Sequence, residues 1–380
     1  VLNKLKKLDW GILLILVVLM AASYFIIHSA TVNTKYAGSE NRQMLFYGIG
    51  FVIAVACSQF DYRIVLKTWH VLYGIGVALL VAVYFLGAEI NGAKGWFQFG
   101  SLSFQPAEIV KIVLIIGIAY LMGRRQGDKL TLTQDLLPIG AFTFLPFLLV
   151  MIQPDLGNAI IYLVIMLGML WIGNVKYTHV MIGLTALVGS IVLFVVLFNT
   201  FNQEIFDFLD DHKKGHWHTR INTFINPEQA SADAKLQSVN AQTAIGSGGL
   251  GGSGYLQGAM KNGGFVPYPY SDSIFVVVGE EFGFQGSAVL LLIYFLLIYR
   301  MIVIAYKCYD RRAAFMIIGV VSMFVFQIFQ NIGMMIGIMP ITGITLPFIS
   351  YGGTSLVLNM LSIGLVFSIK AHQQVYELAD

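Results

Sequence analysis

A handful of ionisable residues stand at the edges of long apolar stretches, where charge is expensive and carries function by default. Asp272 lies in Tyr270-Ser271-Asp272-Ser273-Ile274-Phe275, just ahead of such a stretch. A carboxylate at that junction reaches both water and a lipid headgroup, which suits a general base acting on a lipid-linked substrate. The same position suits an N-cap for the following helix. Upstream, Phe104-Gln105-Pro106-Ala107-Glu108-Ile109-Val110-Lys111 opens another apolar run. Pro106 fits the first helical position; Glu108 and Lys111, three apart, share a face and can pair. The bland alternative is that Glu108 caps the helix start and Lys111 snorkels to the interface. Against it, a capping glutamate does not need a lysine one turn deeper, and a buried cation facing a cavity could hold an anionic ligand. Counting back about 20 residues from Arg300 brings Glu280 and Glu281 to the hydrocarbon boundary, with Asp272 beyond it.

Other patterns carry less. Gly246-x-Gly248-x-x-Gly251 matches G-x-G-x-x-G, but no strand precedes it, so a dinucleotide site is not expected. His212, His216 and His218 lie in a charged stretch without cysteines at zinc spacing and read as solvated loop residues. Asp155, in Gln153-Pro154-Asp155-Leu156-Gly157-Asn158, reads first as a turn or cap residue. The two cysteines, Cys57 and Cys308, are too few for a disulfide scaffold and read as packing residues.

The elements that must position these residues follow from composition. The 380 residues are 57% hydrophobic and 11% charged, against about one-quarter charged in soluble domains. That excludes a soluble globular enzyme and a disordered chain. The net charge is +3 with its basic residues dispersed, so nucleic acid is not an expected partner. The expected fold is all-α: a single polytopic membrane domain over 1–380 with ten spans, near 10–30, 44–60, 71–89, 106–122, 136–152, 158–174, 180–199, 280–300, 313–336 and 354–370. The first span, behind Lys4, Lys6 and Lys7, is too long for a signal-peptide core and lacks a clean cleavage site, so it reads as a retained helix. Basic residues concentrate on the segments holding Lys4, Arg63, Arg124, Arg125, Arg300, Arg311, Arg312 and Lys370, against Lys35, Arg42 and Lys94 on the opposite short loops. Both termini are therefore expected in the cytoplasm, and a large loop over 200–271 outside. The Gly-, Pro- and polar-rich segments 91–108, 220–273 and 339–355 are expected to fold together around one outward-facing cavity, because irregular backbone at membrane depth needs cover.

Pro340-Ile341-Thr342-Gly343-Ile344-Thr345-Leu346-Pro347-Phe348-Ile349-Ser350-Tyr351-Gly352-Gly353-Thr354-Ser355 closely resembles the signature of the SEDS family (shape, elongation, division and sporulation). The resemblance continues through Asn91 to Trp96, Gln105 to Lys111, Gln153 to Gly157, Arg220-Ile221, Phe224 to Glu228, Gln242 to Gly249 and Asp272 to Gly283. The wording is more similar to the elongation (RodA) branch than to the division branch. Two departures stand out: Ser273 where the family commonly has an aromatic residue, and Gly252-Ser253-Gly254 where a lysine is frequent.

The resemblance implies a peptidoglycan glycosyltransferase in the bacterial cytoplasmic membrane that polymerises lipid II on the outer side. Its implied partners are a class B penicillin-binding protein and other elongation-complex membrane proteins. It implies Asp272 as the catalytic residue and a functional role for Glu108 and Lys111. The expected chemistry is an inverting transfer in which Asp272 takes a proton from the acceptor hydroxyl. Lys111, Lys94 and Arg220 are the candidate cations for the leaving pyrophosphate, joined by a divalent cation, Mg or Mn, with Asp272 a candidate ligand. Glu280 and Glu281 are supporting candidates. A lipid II flippase and a non-catalytic scaffold for a transpeptidase are the alternatives. The outward clustering of ionisable groups favours surface chemistry over transport.

Overall fold

Ten helices match the ten expected spans in a computed structural model that describes residues 7–90, 93–99, 102–125, 127–211, 215, 218, 221, 222, 225 and 232–373. They are α1 (Trp10–Thr31), α2 (Ser39–Cys57), α4 (Trp69–Leu86), α5 (Pro106–Met122), α6 (Leu137–Ile152), α7 (Leu156–Ile172), α8 (Tyr177–Thr200), α12 (Ile274–Tyr306), α13 (Arg311–Met335) and α14 (Gly353–His372). A short α3 (Tyr62–Lys67) precedes α4. Most of the ten are apolar on all faces, the mark of helices surrounded by protein or lipid rather than by water. The chain is an all-α, multi-pass membrane protein.

Within the bundle, α5 is the most enclosed helix: nearly every residue from Pro106 to Ala119 is buried. It packs against α4, α7 and α13, while α14 lies along α2 and α12 runs beside α1 and α13. By contrast, α8 leaves nearly all of its described side chains exposed, as a helix bathed in lipid can. The polar segments are more regular than the sequence suggests. Residues 88–104 hold a small antiparallel sheet, β1 (Ala88–Ile90), β2 (Ala93–Phe99) and β3 (Leu102–Phe104), in the order β1-β2-β3. The long 200–271 segment contains α9 (Asn202–Asp211), α10 (Ala232–Ser247) and α11 (Ala259–Asn262).

One expectation in that segment is corrected. His218 is buried rather than solvated: its ring lies 5.2 Å from that of Phe198 and 5.1 Å from that of Phe206, with Nε2 3.1 Å from Asn202 Oδ1. Apolar rings from α8 and α9 cover an imidazole that the charged sequence around it appeared to leave in water. His212 and His216 lie outside the described residues.

The eighth span is broken. Inside α12, Gly283 takes φ 63° and ψ −158°, a conformation that costs L side chains dearly. The glycine-rich loop fills the gap. Ser253 N and Gly254 N donate to the carbonyls of Glu280 and Glu281 at 2.9 and 3.1 Å, and Phe284 N and Gln285 N donate to Gly249 O and Leu250 O at 2.9 and 3.1 Å. A Cβ on Gly283 would meet Gly252 N at 2.4 Å, and one on Gly252 would meet Glu281 O at 2.1 Å. Of the dinucleotide-like pattern only Gly248 serves the same close backbone approach, since a Cβ there would meet Gly279 O at 2.0 Å, whereas Gly246 and Gly251 face open space.

Candidate functional site

Pro106 opens α5 and sets Glu108 and Lys111 on adjoining turns of one face. Their side chains meet, Nζ to Oε2 2.8 Å. Lys111 is 1% exposed, so its charge does not snorkel to water. Apart from this ion contact its Nζ has no hydrogen-bond partner among the described residues, leaving donors of a buried ammonium unused. The helix start is not a capping box. Gln105, at the cap position, makes no side-chain cap bond; its Nε2 donates to Asp155 Oδ2 at 2.6 Å.

Asp155 does cap α7, as its turn position suggests, accepting Asn158 N at 3.0 Å on Oδ1 and Asn158 Nδ2 at 2.8 Å on Oδ2. Burial, and to a lesser degree the charge of Glu108, push its carboxyl above the ordinary range against these hydrogen bonds and the pull of Lys111. A polar network thus joins α7 to the Glu108–Lys111 turn. The strand carrying Lys94 passes over it: a Cβ on Gly95 would lie 3.6 Å from Gln153 Oε1 and 3.8 Å from Gln105 Nε2. The side chain of Lys94 and the whole of Arg220 lie outside the described residues.

Asp272 sits in the turn before α12, partly exposed. The cap position of α12 belongs to Ser273, not Asp272. The turn is held mainly through its backbone. Asn331 Nδ2 donates to Asp272 O at 2.8 Å and to Ile344 O at 2.7 Å. Ser350 Oγ donates to Ser271 O at 2.7 Å, and Tyr351 N to Tyr270 O at 2.9 Å. A Cβ on Gly343 would come 3.9 Å from Asp272 Oδ2. The same 340–350 segment reaches α7, where a Cβ on Gly157 would lie 2.9 Å from Ile344 Cγ1 and 3.4 Å from Thr342 O. The segment therefore touches both the Asp272 turn and the start of α7, two residues from Asp155. Thr354 Oγ1 donates to Ser103 O, bringing β3 to the start of α14.

Glu280 and Glu281 are placed elsewhere, in a buried lock that sequence reasoning missed. Lys261, 7% exposed, sends Nζ to Glu281 Oε1 at 2.6 Å and to Ser29 Oγ and O at 2.7 and 2.9 Å. Ser29 Oγ donates to Glu281 Oε2 at 2.6 Å. Glu280 accepts the backbone N–H of Met260 at 2.6 Å and of Lys261 at 3.1 Å. Both carboxylates thus hold α11 against α1 and α12. A lone lysine in a polar loop carries no periodic signal that could have singled it out.

Among the described residues no three His, Cys, Asp or Glu side chains gather into a metal cage. Mg²⁺ does not require one, since it commonly keeps several waters and takes one or two carboxylates with substrate phosphates. Asp272, partly exposed, fits that lesser demand.

Comparison with known proteins agrees with this architecture. Stage V sporulation protein E of Bacillus subtilis is 30% identical over 97% of this chain and 99% of its own length. Peptidoglycan glycosyltransferase MrdB of Escherichia coli K12 is 33% identical over 97% of this chain and 95% of its own. Among solved structures, a chain of a peptidoglycan synthase complex that coordinates polymerization and crosslinking superposes with a TM-score of 0.77 at 27% identity, covering 97% of this chain and 99% of that one. The rod shape determining protein RodA of Thermus thermophilus gives 0.69 at 27% identity, covering 97% and 98%. A family model described as cell cycle protein FtsW/RodA/SpoVE matches residues 5–375, and the chain belongs to that family.

Proposed function

We propose that this chain is a peptidoglycan glycosyltransferase that polymerises lipid II at the outer face of the cytoplasmic membrane, and that Asp272 is its general base. The observation that carries the site assignment is the 340–350 segment, which touches both the Asp272 turn and the α7 start tied to the Glu108 and Lys111 helix. A carboxylate and an under-bonded buried cation are the two groups this transfer needs.

Asp272 accepts the proton of the acceptor sugar's 4-hydroxyl. The freed oxygen bonds to the donor's anomeric carbon from the face opposite the leaving group. The bond from that carbon to the pyrophosphate oxygen breaks, inverting the anomeric centre and releasing the lipid pyrophosphate. Charge grows on the departing phosphate, where Lys111 supplies preorganised positive charge and Glu108 orients it. Lys94 and Arg220 are the further cations of this reading. A divalent cation would supply charge neutralisation at the pyrophosphate; Asp272, the candidate to hold it, would then do so in place of acting as base, since the base stands on the face opposite the leaving group. Glu280 and Glu281 support the site by fixing the loop ahead of it rather than by meeting substrate.

The partner in this reading is a class B penicillin-binding protein within an elongation complex. The matched synthase complex, in which polymerization and crosslinking are coordinated, supports it. The rod shape determining match supports the elongation branch.

The test is glycan-chain formation from purified lipid II in detergent, where no leaflets exist to cross. Asp272→Ala is expected to abolish polymerisation while folding and binding the partner normally. A folded Asp272→Ala protein polymerising at the wild-type rate would refute the base assignment. A wild-type protein that, with its partner, moves lipid II across vesicles but forms no chains would return the flippase reading.

A further inference from the structure

At the opposite end of the bundle, two guanidinium groups from different helices share one ring. Arg124, just past α5, lies 5.3 Å from the centroid of the Tyr120 ring, and Arg312, in the first turn of α13, lies 5.0 Å from it. Among the described residues neither forms an ion pair. Their neighbours show the contrast: Arg125 holds Asp135 through Nε at 2.9 Å, and Asp310 is taken up by Arg312 N at 2.9 Å and Tyr62 Oη at 3.0 Å. Asp128, the remaining acid on this turn, is exposed and acts on Arg125.

The backbone is shaped to admit these arginines. A Cβ on Gly123 would meet Arg312 Cγ at 2.1 Å, and one on Gly127, at φ +108°, would meet the Arg311 guanidinium at 1.8 Å. Two glycines thus let the arginines of α13 lie across the turn after α5. Like charges drawn to one ring, next to the positive end of α13, repel one another unless an anion joins them. A guanidinium pair matches phosphate oxygens in geometry as well as charge. Tyr120 stands at the end of a span, at the level where aromatic rings meet headgroups.

We infer that Arg124, Arg312 and Tyr120, with Arg311 beside them, form a binding site for the phosphodiester headgroup of an anionic membrane phospholipid. It lies at the end of the bundle remote from Asp272. Basic pockets between spans on the cytoplasmic side are suited to such headgroups.

The experiment is native mass spectrometry of the full chain released from nanodiscs of phosphatidylethanolamine with or without phosphatidylglycerol. Wild type is expected to retain phosphatidylglycerol in preference to phosphatidylethanolamine. The double variant Arg124→Gln/Arg312→Gln is expected to bind it about tenfold more weakly, the cost of losing charge-assisted bonds. Its polymerisation of lipid II in neutral detergent should be unchanged, which also reports that it folds. A wild type without preference between the two lipids overturns the inference without reference to any variant. So does equal retention by the double variant, or displacement of phosphatidylglycerol by inorganic phosphate at equal concentration.

Discussion

A buried ammonium whose one ion contact leaves hydrogen-bond donors unused can offer them to an incoming anion, and Lys111 is in that position. Removing its charge as Lys111→Met is expected to lower the polymerisation rate about 100-fold or more, in the range seen when one transition-state charge donor is lost. Glu108→Gln should cost less turnover than Lys111→Met, because the cation stays and only its orientation suffers. Steady-state assays on lipid II distinguish these outcomes. Equal rates for Lys111→Met and wild type would remove the lysine from the phosphate role. This pair was legible in the sequence because helix spacing is local: residues three apart must share a face. The link from Gln105 to Asp155 was not, since it crosses from α5 to α7 and no local spacing encodes it. Asp272 was legible as a junction residue that the family resemblance lifted above an N-cap role, and the structure gives that cap position to Ser273.

The glycine-rich loop and the interrupted α12 form one composite element, pinned by Glu280 and by the Lys261–Glu281 pair. Glu281→Gln leaves Lys261 buried without its counter-ion. Loss of one partner of a buried pair costs about 3 kcal/mol or more, so a clear fall in thermal unfolding temperature is expected. The double variant Lys261→Met/Glu281→Leu should recover part of it, and a double-mutant cycle measures how much. Gly283→Ala faces both a left-handed backbone and the approach of Gly252 N, and should destabilise the outer part of α12. A Gly283→Ala protein with unchanged unfolding temperature and activity would show that the break is dispensable. Little of this element was foreseeable. Glycine-rich composition marked irregular backbone in need of cover, but the backbone it pairs with lies some 30 residues on, beyond any periodicity. The small β1-β2-β3 sheet escaped for a similar reason: its strands are short, and Gly92 and Gly95 read as loop.

At the scale of the molecule, α1 is fixed to α12 near both ends. One lock is Ser29 with Glu281 and Lys261; the other is Asp9, which caps α1 and binds Arg300 of α12 at 2.7 Å and Lys370 of α14 at 2.7 Å. Burial alone would raise the Asp9 carboxyl, but the hydrogen bonds from Lys370, Arg300 and Ile12 N more than offset it and leave it below its ordinary value of 3.8. A depressed carboxylate stabilises the fold above its unfolded pKa and loses that contribution as pH falls through the folded one. The difference in unfolding temperature between wild type and Asp9→Asn should therefore be full near neutrality and shrink below about pH 4. A difference constant down to pH 3 would show that Asp9 acts by packing alone. The ten-helix plan was readable because lipid demands about 20 apolar residues per crossing; the clasps between helices were not, since a charge near a span end looks the same whether paired or solvated. The loop threaded through α12 also leaves a built-in reporter. The amides of Ser253, Gly254, Phe284 and Gln285 are shielded by partners distant in sequence rather than by their own helix. Deuterium uptake at these four should rise together whenever the loop lifts away, so that a local exchange rate reads the state of the segment leading to Asp272. Lys261→Met is expected to accelerate all four in concert; independent changes would mean the loop is not a single unit.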